Sequence, residues 1–86
     1  MGVCGLEGDP IYLTFDCVSY GTHGIYTKDG KQLRKVIEEL SKRIRVPRRK
    51  ISNVLYNYET LNINSKIKDL NLPQGAVLLV KIVNWL

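Results

Sequence analysis

The 86-residue sequence is poor in the side chains that carry chemistry. Its two cysteines, Cys4 and Cys17, are too few for a disulfide framework or a four-ligand zinc site. Cys17 falls on the inward face of an alternating segment, where a thiol behaves as a small hydrophobe. The one histidine, His23, lies between Gly21 and Gly24 with no clustered base, acid or ligand, and reads as an exposed turn residue. Gly21-x-x-Gly24 precedes strand-forming residues and lacks a following Lys-Ser/Thr, so it is no phosphate loop. The longest apolar stretch, Ala76 to Val83, is broken by Lys81 and falls far short of the ~20 residues of a membrane helix. Met1 to Pro10 has no basic run and carries Glu7 and Asp9, unlike a signal peptide. These gaps argue against an enzyme, a bound cofactor and a membrane span. They favour a cytoplasmic protein with reduced thiols.

What remains is a foldable balance. The chain is 44% hydrophobic and 24% charged, with three prolines and seven glycines, which fits one small domain of slim stability. Thirteen Lys and Arg against eight Asp and Glu give a net charge of +5, enough to raise nucleic acid as a partner without deciding for it.

Periodicity divides the chain. Met1 to Pro10 reads as a flexible tail and residues 11–86 as the domain. Ile11 to Tyr20 alternates, with Ile11, Leu13, Phe15 and Cys17 on one face. Gly21-Thr22-His23-Gly24 reads as a hairpin turn, and Ile25 to Thr27 as the returning strand. From Gln32 to Arg45 the period changes. Leu33, Val36, Ile37, Leu40 and Ile44 form one helical stripe, with Glu38–Lys42 and Glu39–Arg43 as i,i+4 pairs on the other side. Pro47 is expected to end the helix. Ile51 to Tyr58 reads as a third strand with Val54 and Tyr56 inward, and Leu61 as part of a short fourth. Ile67, Leu70 and Leu72 anchor an irregular turn. The last strand has Leu78, Val80 and Ile82 inward, with Leu79, Lys81 and Val83 outward. Hairpin, helix, strand, short strand, strand is the order of an α+β β-grasp fold. It predicts a mixed sheet under one covering helix, with the last strand parallel to the first in the middle.

Leu33, Val36, Leu40, Val46-Pro47, Leu61, Ile67-x-Asp69-Leu70-x-Leu72-x-x-Gly75, Leu78, Val80 and Ile82 together resemble the core pattern of ubiquitin-like domains. Leu13-Thr14-Phe15-Asp16, Tyr20 four residues on, a Gly-Thr hairpin and Leu-x-x-Val-Ile at Leu33 to Ile37 resemble the YukD/EsaB family. Those proteins accompany type VII (WXG100) secretion systems of Gram-positive bacteria. The resemblance implies a non-enzymatic adaptor that docks proteins, with the membrane-bound secretion machinery or its ATPase as partners. It departs from the family in its longer tail, its Asn84-Trp85-Leu86 end and its heavier basic run. A ubiquitin-like domain of a larger eukaryotic protein, docking ubiquitin-pathway or signalling partners, is the alternative. The sequence does not end in Gly-Gly, so conjugation as a modifier is not expected.

Two surfaces stand out. Lys42, Arg43, Arg45, Arg48, Arg49 and Lys50 put six cations into nine residues without an acid. They suit a helix C-terminus and also a patch for an acidic protein or lipid partner, with nucleic acid disfavoured. On the outer sheet face, Thr14 and Asp16 are expected beside Leu79 and Lys81, with Leu55 one strand further. That makes an apolar patch edged by polar groups, the profile of a partner-binding surface. The ubiquitin resemblance matches its partner-binding positions to Leu55, Leu79 and Lys81, and the YukD/EsaB resemblance singles out Thr14.

Overall fold

A computed structural model of the chain describes residues 8–83. Strand β1 (Pro10–Cys17) alternates as its pattern requires, burying Ile11, Leu13, Phe15 and Cys17. It begins one residue before the expected domain boundary. Asp9 is already tied down, its N–H donating to Asp29 Oδ1 at 2.8 Å and its carbonyl accepting from the Asp29 N–H at 2.9 Å. Residues 1–7 of the expected tail, including Cys4, lie outside the described residues, as do Trp85 and Leu86.

The hairpin forms, but its turn falls earlier than Gly21-Thr22-His23-Gly24. The Tyr20 N–H closes onto the Cys17 carbonyl at 2.9 Å. Ser19 and Gly21 take positive φ, 73° and 85°. Residues 21–24 therefore open strand β2 (Gly21–Lys28) instead of reversing the chain. Gly24 has a different job from turning. A Cβ there would run into the ring of Tyr12, which lies over it from the neighbouring strand. Tyr12 also packs on Tyr26, with ring centroids 4.5 Å apart.

Helix α1 (Leu33–Ile44) buries Leu33, Val36, Ile37, Leu40 and Ile44, together with Ser41, whose hydroxyl donates to the Glu38 carbonyl at 2.7 Å. Pro47 does not end it. Arg45 does, in the left-handed region at φ 60°. Its N–H reaches the Lys42 carbonyl at 3.3 Å, and the Val46 N–H reaches Ser41 at 3.0 Å. This is a Schellman closure, which satisfies carbonyls the helix would leave bare. Glu39 pairs with Arg43 at 3.4 Å as expected. Glu38 turns instead to Arg34, at 3.7 Å, rather than to Lys42. Arg34 Nε is held by the Gln32 side-chain carbonyl at 3.1 Å, so its guanidinium is already placed beside Glu38.

Beyond a short 3-10 turn at Arg48–Lys50 come strand β3 (Ile51–Tyr56), strand β4 (Glu59–Thr60), a second 3-10 turn at Ile67–Leu70 and strand β5 (Ala76–Ile82). β4 ends just before Leu61. The Leu61 N–H still donates to the Val54 carbonyl at 2.8 Å, and its side chain packs on the core. The sheet order is β2-β1-β5-β3-β4. β5 runs parallel to β1 and antiparallel to β3. Leu78 and Val80 are fully buried, and Ile82 packs at the edge of the core. The inward residues of the strands meet the stripe of α1 on one face of the sheet, and the fold is an α+β β-grasp.

Candidate functional site

The opposite face of the sheet is where side chains remain free. The two-residue strand period puts Val77, Leu79 and Lys81 of β5 on that face. Register then decides their neighbours. Leu79 pairs with Asp16 on one side and Leu55 on the other, so these three make one row. Thr14 pairs with Val77, and Lys81 with Asn53. The expected grouping is therefore corrected in part: Thr14 lies beside Val77 rather than Leu79, and Lys81 sits one pleat beyond.

A shallow groove of about 220 Å³ opens on this face, lined by Asp16, Leu55, Asn57, Tyr58, Val77 and Leu79. Three of the five expected docking residues line it. Thr14, half-buried, and Lys81, exposed, share the face but not the groove. Its apolar lining is open to solvent: Val77 is 58% exposed, Leu79 37% and Tyr58 97%. Val77 was legible from its parity with Leu79. Asn57 and Tyr58 were not, because Ile51 to Tyr58 reads as one strand. In the structure β3 stops at Tyr56, and Asn57 and Tyr58 form the two-residue connection to β4 with φ of 52° and 68°. Two consecutive positive φ values match a type I′ hairpin turn, whose second position ordinarily takes glycine. A tyrosine held there is strained, and it is one of the residues that line the groove.

The six cations of the basic run do not reach the groove, and they divide by role. Arg43 Nη1 donates to the Gly24 carbonyl at 2.7 Å, and Arg48 Nη1 to the Ile51 carbonyl at 3.1 Å, so both secure backbone. Lys42, Arg45 and Arg49 are exposed and make no ion pair among the described residues, and Lys50 is half-buried. His23 is half-buried in β2 rather than exposed in a turn, its Nε2 donating to the Tyr20 carbonyl at 2.8 Å. Cys17 is buried. Burial first, and the neighbouring Asp16 carboxylate second, push its thiol above the ordinary value, so it is a poor nucleophile. Among the described residues no cluster of three His, Cys, Asp or Glu could hold a metal, and no helix is long and apolar enough to cross a membrane.

No protein-family model matches the chain, and no curated protein does. Solved structures do. One is a de novo design based on ubiquitin, 19% identical, covering 85% of this chain and 88% of its own, with a TM-score of 0.75. Another belongs to a study of molecular mimicry of SUMO that promotes DNA repair. It is 11% identical and covers 86% of this chain and 92% of its own, with a TM-score of 0.74. At such identities the likeness speaks for architecture alone: the chain has the ubiquitin-like fold.

Proposed function

We propose that this protein is a non-enzymatic docking adaptor that binds protein partners through the outer face of its sheet. One observation carries the reading: Leu55, Val77, Leu79 and Tyr58 line an open groove on the sheet face that α1 leaves uncovered. An apolar hollow rimmed by Asp16 and Asn57 is built to receive a side chain from another molecule. Thr14 and Lys81 border it and extend the contact. The exposed cations Lys42, Arg45 and Arg49, with Lys50 beside them, form a second contact for an acidic protein surface.

The resemblance of Leu13-Thr14-Phe15-Asp16 and of Leu33 to Ile37 to the YukD/EsaB family favours an accessory role in a type VII secretion system, with its membrane-bound machinery or ATPase as partner. Leu79→Ser and Thr14→Ala should leave the protein folded, with the melting temperature lowered by several degrees at most. Both should lose the secretion components that wild type co-purifies from its native host. Equal capture by wild type and variants would sink the docking face. Capture that depends on Leu79 but brings down no secretion component would favour the second reading, a ubiquitin-like module docking other partners, which the ubiquitin-like architecture supports.

A further inference from the structure

We infer that the groove receives a basic amphipathic segment, whose apolar side chain packs over Leu79 and Leu55 while an adjacent lysine or arginine meets Asp16. The inference rests on the docking reading and adds the chemistry of the partner. It starts from the charge left over. Glu38 and Glu39 are matched by arginines on their own helix. Asp16 is exposed and makes no ion pair among the described residues, although the chain carries a net charge of +5. It stands in the same row as Leu79 and Leu55, so a carboxylate and the apolar floor face the same occupant. No cation lines the groove. The nearest on this face along β5, Lys81, lies alongside Asn53.

Tyr58 supports the same choice. It is one of the residues lining the groove and is exposed, and an aromatic face attracts a cation. Asn57 adds an amide that can donate to and accept from a peptide backbone. An acidic segment would instead be repelled by Asp16 and drawn to the run from Lys42 to Lys50.

Two synthetic 16-residue peptides with leucines at helical spacing, one completed with lysines and one with glutamates, test this. Each is titrated into the isotope-labelled full chain and followed by amide chemical shifts at low salt. The net charge of the protein favours the glutamate peptide, so selection of the lysine peptide at the groove must come from local chemistry. The lysine peptide should move the amides of Asp16, Leu55, Val77 and Leu79. Asp16→Asn, an exposed and nearly isosteric change, should weaken it about fivefold, and added salt should erase that difference. Tyr58→Gly should also weaken it, with a melting temperature no lower than wild type. If the glutamate peptide moves the groove amides equally, or Asp16→Asn leaves the lysine peptide's affinity unchanged, the basic partner is overturned while a docking groove stands. If neither peptide moves those amides, the inference also falls, and the docking face is then judged by the Leu79→Ser capture experiment alone.

Discussion

Single residues settle the places where this chain bends against ordinary preference. Arg45 closes α1 in a left-handed conformation that costs a side chain-bearing residue about 1 kcal/mol and glycine nothing comparable. Arg45→Gly should therefore raise the urea midpoint slightly, with a gain of at most about 0.5 kcal/mol after the extra chain entropy of glycine is subtracted. Gln74 shows the reverse, a side chain substituting for backbone. Its Oε1 accepts the Tyr12 N–H and its Nε2 donates to the Pro10 carbonyl, both at 2.9 Å, continuing the ladder just before β5 begins. Gln74→Ala should cost about 1–2 kcal/mol, read by chemical denaturation. Cys17 gives a pH signature. Its thiol is favoured protonated in the fold, so this contribution is complete below the unfolded value of about 8.5 and is lost as pH rises through the higher folded value. Wild type should lose stability relative to Cys17→Val in alkaline solution, and parallel curves for the two would refute it.

At the level of elements, the strands and the helix were legible because each has only one way to hide its apolar side. Ile11 to Cys17 and Leu78 to Val80 alternate, and Leu33 to Ile44 recurs at three and four, so parity alone placed them. Asp16, Leu55 and Leu79 were reachable by the same parity. The element ends were not. Ser19, Arg45, Asn57 and Tyr58 take positive φ without being glycine, so none announces its turn. The start of α1 falls within one residue of the expected Gln32, but what satisfies it was hidden. It has no side-chain cap, and its first N–H groups donate to the carbonyls of Ser65 and Ile63, at 3.0 and 2.8 Å, in a loop thirty residues downstream. A local sequence window carries no trace of such acceptors. Arg43 ties α1 to the outer strand by its bond to Gly24. Arg43→Met should keep the aliphatic stem yet cost about 1 kcal/mol in urea unfolding, because a charged hydrogen bond and a surface ion pair are lost together.

Across the molecule, the two sides of one sheet carry opposite burdens. Leu78 and Leu79 are adjacent in sequence and face opposite ways, one fully buried and one 37% exposed. Leu78→Ala should cost about 2–5 kcal/mol, a large share of what a domain this small has, while Leu79→Ser, which removes a partly covered side chain, should cost about 1 kcal/mol. Equal losses at the two positions, measured by thermal unfolding, would contradict the orientation of β5. Four exposed cations, Lys42, Arg43, Arg45 and Arg49, lie at the end of α1 and in the turn behind it, and none of them lines the groove.

The parallel seam between β1 and β5 has a consequence for synthesis. The first strand to leave the ribosome has the last as its central neighbour, so a nascent chain ending before Ala76 can form the hairpin and helix but not the middle of the sheet. Protease resistance of arrested nascent chains should appear in one step once β5 clears the exit tunnel, because until then one edge of β1 has no strand beside it.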